Sequence, residues 1–402
     1  MKELDALRRQ VGTVDRRIVA DLARRQELVS RIVAIKIAQG LELRDRTQEA
    51  AVLSEVIRLG RLHGLDAGYM TRLFHPIIDH SVDIQRELLL RADVDGAATR
   101  RAVRVAYQGT DGAYSHLAAM KHFAPVLPRV VFAGLHSFLD VTDAVESGQA
   151  DYGVLPIENT TAGSINEVYD LLRRVNVSIV GEAVQEVDHC LLVLDEVPLS
   201  DLRRVYSHPQ ALAQCSEFLA TLKDCRVESY TDTAMAVEKV RDDGDPTQAA
   251  IASEAAGEHF GLRVLRRGLA NQPENFTRFV VVAREPRAVD LRTPCKTSLL
   301  LATDHREGAL ARCLNLLATH HLNLTKLESR PQPHTPWEYH FYIDVEGNVA
   351  DPDTGEALEA LRDQTRFLKV LGCYPALAGL SAPQKAGVSK RPATRQGARK
   401  SR

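Results

Sequence analysis

The stretch Glu274 to Ala283, "ENFTRFVVVA", decides how the middle of this chain is read. Phe276, Phe279, Val280, Val281 and Val282 are strand formers, yet Thr277 and Arg278 interrupt them. One reading is an edge strand showing two polar side chains to water. The other is a strand end facing a cleft. Working outward, short β-rich runs alternate with helical ones from Val103 to about Pro286, among them "RVAYQG", "YSHLAAMKHF", "GVLPIE", "INEVYDLLRRV" and "VSIVGEAV". The alternation predicts an α/β domain with a largely parallel sheet, whose strand ends are where ligands sit. Polar clusters fall at several of those ends: Glu158, Asn159, Thr160 and Thr161 in "LPIENTTAGSINEVYDLL", and Ser207 and Gln214 in "VYSHPQALAQC". In "AYQGTDGAYSHLAA", the turn with Gly109 and Gly112 offers backbone amides to an anion. Several such clusters favour the cleft.

The chain has 402 residues, enough for two to four domains at ~100 to 200 residues each. Its net charge of -2 gives no bulk electrostatic reason to seek nucleic acid or membrane, so small-molecule partners are expected. "MKELDALRRQVGTVDRR" is too charged for a signal peptide, and no run reaches the ~18 apolar residues of a membrane span, which predicts a cytoplasmic protein. The six cysteines are scattered without a CxxC pair and are expected to be small core residues.

Residues 1–92 show helical periodicity, 93–102 read as a linker, and 103–286 are the α/β segment. From 294 to 378 the predicted order is strand, helix, strand, strand, helix, strand, that of a ferredoxin-like α+β fold. Residues 379–402 are basic, lack aromatics and acids, and read as a disordered tail.

A heptad reading from Leu4 strings Leu7, Val11, Val14, Ile18, Asp21, Arg25, Leu28, Ile32 and Ile35 along one stripe. Charges on a packing seam are costly unless paired or liganded, so Asp21 and Arg25 form either a salt bridge or part of a site. Lys36 lies on nearly the same face, about 16 Å further on, and the two cations suit a small dianion. Asp45 with Glu49, and Ser81 with Gln85, are pairs at one-turn spacing. Arg8 lies about 25 Å from Arg25 along the helix and would have to serve a site in another subunit, which implies an interlocked dimer.

Leu7 to Leu90 resembles the all-helical chorismate mutase family in "LRRQVGTVDRRIVADLARRQELVSRIVAIK", "LRDRTQE" and "YMTRLFHPIIDHSVDIQ". The resemblance implies carboxylate clamping by Arg8 of a partner subunit and by Arg25 with Ser81. It implies donation to the ether oxygen by Lys36 and Gln85, and hydroxyl orientation by Asp45 and Glu49. Gln48 stands where the family usually has a base, so a weakened mutase, or a module kept only for dimerisation, is the alternative. Arg46 projects from another side of the helix, while Arg44 approaches from the preceding loop.

Residues 103–286 resemble prephenate dehydratase, whose signature is the triplet at 277 to 279. The resemblance implies two lobes around a cleft, similar to type II periplasmic binding proteins. It implies Thr277 as proton donor or relay, Arg278 as carboxylate anchor, and Glu158, Asn159, Ser207 and Gln214 as cleft residues, with His189 a weaker candidate. Asp232 replaces a common serine and is expected to turn away or pair with a base; Thr233 remains a contact candidate. Residues 294–378 resemble ACT domains, implying phenylalanine binding between subunits near Gly308, Ala309, Leu310 and Ala311 and near Glu328, Ser329, Arg330 and Pro331.

The three-part order resembles the bifunctional chorismate mutase/prephenate dehydratase family. It implies a homodimeric or homotetrameric enzyme that acts on chorismate and prephenate without cofactor or metal and is feedback-inhibited by phenylalanine. A non-catalytic amino-acid sensor is the reading from another class, disfavoured by the intact triplet.

Overall fold

A computed structural model of the chain describes residues 2–39, 46–74, 76–78, 81, 102–289, 291, 293–331 and 338–377. The N-terminal part is helical. α1 (Lys2–Gln39) runs 38 residues without proline, followed by α2 (Arg46–Leu62) and a third helical stretch over 67–74 and 76–78. The apolar stripe of α1 stays uncovered within one chain: Leu4, Leu7, Val11, Val14, Ile18, Leu28, Ile32 and Ile35 are each 48% to 60% exposed.

The α/β segment forms two lobes. The first holds β1 (Val103–Gln108), β2 (Val130–Leu135), β3 (Tyr152–Asn159), β4 (Gly163–Ser164) and β5 (Ser178–Glu186). The second holds β6 (Cys190–Val193), β7 (Arg204–Ser207), β8 (Arg226–Ser229), β9 (Gln248–Ala252) and β10 (Arg263–Arg266), in the order β10-β6-β9-β7-β8. β11 (Phe276–Ala283) then returns to the first lobe, giving β2-β1-β3-β11-β5. The largely parallel expectation needs a correction in each lobe. β11 runs antiparallel to both β3 and β5, and β6 runs antiparallel to β9 and β10. The reason is the chain path: it crosses between lobes at 187–189 and again at 267–275, and each crossing delivers a strand entering from the opposite end.

The third unit has the predicted order. β12 (Cys295–Ala302), helix Ala309–Thr319, β13 (Asn323–Pro331), β14 (Tyr339–Glu346), helix Pro352–Gln364 and β15 (Phe367–Pro375) form an antiparallel sheet ordered β13-β14-β12-β15. Every residue of β12 is buried, and the pleat divides them between two covers. Leu299 and Leu301 pack with Leu317, Leu358 and Leu361 of the two helices, while Leu300 joins Tyr342, Leu371 and Tyr374 in the core of the first lobe. Each Leu removed from water in this way contributes about 1.5 to 3 kcal/mol. Contact with the lobe is close enough to demand glycine: a Cβ on Gly372 would stand 2.1 Å from the carbonyl oxygen of Ile179. Five of the six cysteines are buried, as expected of small core residues, whereas Cys225 is only part-buried. No helix among the described residues is long and apolar enough to cross a membrane.

Candidate active site

The two crossings and the ends of β3 and β11 meet at one point between the lobes, and polar side chains converge there. Asn159 closes β3, and Thr277 stands opposite it in register on β11. Asn159 Nδ2 donates to Thr277 Oγ1 at 2.9 Å, to Asn275 Oδ1 at 2.8 Å and to the Phe276 carbonyl at 3.1 Å. Its Oδ1 accepts from the Thr161 and Ala162 amides and from Thr161 Oγ1. From the second lobe, Gln214 ends helix Pro209–Gln214 and donates through Nε2 to Thr161 Oγ1 at 2.6 Å and Asn159 Oδ1 at 3.2 Å. Gln214 Oε1 accepts from Asn275 Nδ2 at 3.0 Å and lies 2.9 Å from His189 Nε2.

This network fixes the state of its histidine. Because the Gln214 amide nitrogen is taken by Thr161 and Asn159, Oε1 faces His189 and makes Nε2 the donor. Nδ1 is then an acceptor, and the single hydrogen of Tyr114 Oη can serve either it, at 3.1 Å, or the Asp188 carbonyl, at 2.7 Å. Burial pushes His189 below the ordinary histidine value, against the Gln214 contact that pulls it up. Burial also pushes the part-buried Tyr114 well above the ordinary tyrosine value. The cluster is therefore uncharged near neutrality, a set of oriented dipoles around the Thr277 hydroxyl.

Thr277, Asn159, Gln214 and His189 come together here, whereas three other residues do not. Arg278 follows Thr277 on the strand and points the opposite way, so it cannot anchor a carboxylate beside it. Its guanidinium is consumed by Glu182 at 2.8 Å, Asp344 at 2.7 Å and Tyr374 Oη at 3.0 Å. Glu158 pairs across the strands with Arg278 and shares its side, where it bridges Lys326 at 2.9 Å. Ser207 is fully buried, and its hydroxyl is committed to the Ile251 carbonyl at 2.5 Å. The glycine turn is also spoken for: the Gly109 amide donates to the Leu135 carbonyl and the Gly112 amide to His116 Nδ1.

Asp232 turns to cap a helix, as one of its two expected fates allowed. Its Oδ1 accepts from the Ala234 and Met235 amides, at 2.7 and 3.1 Å. Its Oδ2 stands where a Cβ on Gly109, at φ +101°, would approach to 2.7 Å. Burial raises the Asp232 pKa despite those amides and nearby His208. Thr233 starts that helix, and among the described residues no side-chain hydrogen bond joins it to the cluster.

In the helical part, Arg25 Nη1 donates to Ser81 Oγ at 2.8 Å and to the Ile77 carbonyl at 3.2 Å. Asp21 leans to exposed Arg17 instead, at 3.9 Å, so the Asp21–Arg25 bridge does not form. Arg8 is exposed beside Asp5, at 3.7 Å. Lys36 sits in the last turn of α1. Gln48 is exposed, and Glu49 belongs to α2, though its side chain lies outside the described residues, as do Asp45 and Gln85.

A family profile described as prephenate dehydratase matches residues 105–287, and one described as chorismate mutase type II matches residues 7–86. The bifunctional chorismate mutase/prephenate dehydratase of Escherichia coli is 44% identical over 92% of this chain and 96% of its own length. The chain belongs to the bifunctional chorismate mutase/prephenate dehydratase family. A further member, from Buchnera aphidicola, is 36% identical over 93% of this chain and 97% of its own. Among solved structures, a prephenate dehydratase in complex with L-Phe from Arthrobacter aurescens superimposes with TM-score 0.62 at 26% identity, over 68% of this chain and 90% of that one. A protein described as a novel type of quorum quenching acylase superimposes with TM-score 0.61 at 35% identity, over 68% and 98%.

Within this family member's third unit, Gly308, Ala309 and Leu310 line a cavity of about 730 Å³ with Thr303 to Glu307, Leu314, Glu338, Tyr339 and Phe341. Glu328 and Arg330 point away from that cavity. Glu328 accepts from Ser164 Oγ at 2.7 Å and Arg330 pairs with Asp170 at 3.0 Å, both in the first lobe. Ser329 and Pro331, alternating with them, are exposed along β13. Sequence reasoning missed Asn275 and Tyr114. Asn275 was visible in "ENFTRF" as a polar residue immediately before the strand, and Tyr114 carried no signal beyond an aromatic opening a helix.

Proposed function

We propose that the chain converts chorismate to prephenate in its helical module and prephenate to phenylpyruvate at the Asn159–Thr277 cluster, serving phenylalanine synthesis. The observation that carries the second step is the hydrogen bond from Asn159 Nδ2 to Thr277 Oγ1. With that oxygen accepting, the threonine hydrogen is free to point at substrate. Dehydration requires a proton on the departing hydroxyl as carbon dioxide leaves from the same ring. Giving up its proton puts developing negative charge on Thr277 Oγ1, and the Asn159 amide is already oriented to stabilise it. Catalysis thus rests on preorganised dipoles in a desolvated cleft, which compensates for the weak acidity of a lone threonine.

In the helical module Arg25 and Ser81 are the carboxylate-binding pair, with Lys36, Gln85, Asp45 and Glu49 completing the site and Arg8 arriving from a second subunit. The uncovered stripe of α1 supports that dimer, since a charged 38-residue helix with eight exposed apolar residues along one stripe needs a partner. The module boundaries are 1–92, 103–286 and 294–378, the middle one a two-lobed fold of the type II binding-protein kind. The last is an ACT unit that takes phenylalanine near Gly308, Ala309 and Leu310. Support comes from the 730 Å³ cavity at that helix N-terminus, and from the relative solved with L-Phe. Replacing Thr277 by alanine abolishes phenylpyruvate formation from prephenate while chorismate consumption continues; retained dehydration would sink the assignment.

A further inference from the structure

Thr277 and Asn159 face each other in register, and so do the residues beside them, Arg278 and Glu158, on the opposite side of the sheet. The first pair makes the catalytic cluster. The second is gripped by the third unit. Asp344 on β14 and Tyr374 on β15 take two arms of the Arg278 guanidinium, and Glu182 takes the third. Glu182, with its side chain wholly buried, is itself held from the third unit by Lys296 Nζ at 3.0 Å and by the Leu377 amide at 3.0 Å. Ser298 Oγ sets the remaining geometry, donating to Asp344 Oδ1 at 2.5 Å and lying 2.7 Å from Tyr374 Oη. Glu158 is bridged by Lys326, and the hairpin that follows it is hooked through Ser164 to Glu328.

Buried ion pairs of this kind are weak evidence for stability, because desolvation offsets much of the attraction. What argues for more is the local backbone. The register of β11 against β3 slips between Arg278 and Phe279, so the ladder on the Asn159 side changes step right beside Thr277, while the pairing with β5 stays regular from Phe276 to Val281. A rigid three-armed anchor one residue away holds the strand at that irregular step. A planar guanidinium meeting three fixed partners holds direction as well as distance.

We infer that Arg278 is a positioning residue through which the third unit holds Thr277 in its productive place, so that dehydratase turnover depends on Asp344 and Tyr374. This rests on the assignment of Thr277 above. The experiment compares Asp344→Asn and Tyr374→Phe with the unaltered full-length enzyme, measuring kcat and KM for prephenate well below the thermal midpoint of each. Chorismate consumption serves as the control for an intact chain. Asp344→Asn lowers kcat about tenfold with KM within about twofold, since the loss is in alignment and not in binding. Tyr374→Phe removes a single hydroxyl from the same anchor, lowers kcat in the same sense by a smaller factor, and stands as the test if Asp344→Asn does not fold. An unchanged kcat in the folded variants, whatever KM does, would overturn the inference. Thr277→Ala separates the two failures: if it abolishes dehydration while these variants keep full turnover, only the positioning role falls; if it retains dehydration, the catalytic assignment falls first.

Discussion

Asn159 Nδ2 donates to Thr277 Oγ1 at 2.9 Å, and the direction of that donation decides where the threonine proton can go. Asn159→Asp keeps the shape but replaces a donor with an acceptor. The Thr277 hydroxyl then turns its hydrogen inward, and a buried negative charge meets a dianionic substrate. Loss of kcat by at least about a hundredfold is expected, in line with removal of one preorganised donor. Thr277→Ser, which keeps the hydroxyl, retains measurable turnover, whereas Thr277→Val, of nearly equal volume, does not. Phenylpyruvate formation by each variant checks the order; equal rates for serine and valine would refute it.

Asp232 gives a prediction whose sign follows from its burial. The carboxylate gains two amide bonds and the favourable end of a helix, worth about 0.3 to 1 kcal/mol in exposed settings, yet desolvation wins and its pKa is raised. A raised carboxylate contributes full stability only below its unfolded value of about 3.9, and loses it as pH rises through the folded value. Asp232→Ser keeps a good N-cap without the charge. The variant should melt higher than the native chain near pH 7, with the gap narrowing as pH falls through the folded value of Asp232. A gap that is constant with pH would assign the effect to something other than the charge.

The division between what was legible and what was not follows strand geometry. Thr277, Asn159 and Gln214 were readable because polar residues clustered at predicted strand ends have few structural uses. Arg278 and Glu158 were misplaced for a reason also present in the sequence: a period of two sends the neighbour of a cleft residue to the other face. What covers that face is a long-range fact, set by a unit whose β14 and β15 lie over sixty residues downstream. The order of the last six elements was legible because each carries its own periodicity. Asn275 sits in a crossing segment with none, and the antiparallel course of β11 and β6 depends on the path between lobes.

The α1 stripe can be tested independently of either chemistry. Val14→Glu with Ile18→Glu places two charges in the middle of an apolar face that is more than half exposed in one chain. Burying them against a partner costs several kcal/mol, so the mass in solution should drop and chorismate mutase activity should vanish. Prephenate turnover should survive, because no residue of the Asn159 cluster lies on α1. An unaltered mass by sedimentation, with full mutase activity, would mean that the stripe is not the subunit contact.

Glu182 sets the stability of the joint between the first lobe and the third unit. Burial would raise its pKa, but Arg278 and Lys296 together outweigh that and hold it below the ordinary carboxylate value. Glu182→Gln leaves two buried cations short of a counter-charge, and removing one partner of such a pair costs about 3 to 5 kcal/mol. For a depressed carboxylate the stabilisation is present above its unfolded value of about 4.3 and is lost as pH falls through the folded one. The native chain should therefore exceed the variant most clearly in urea unfolding near pH 7, and the two should converge in acid. Pairing Glu182→Gln with Lys296→Met relieves one stranded cation and should recover part of the loss. If the double variant is no more stable than Glu182→Gln alone, the lysine charge was never the source of the cost, and Arg278 carries the whole of it.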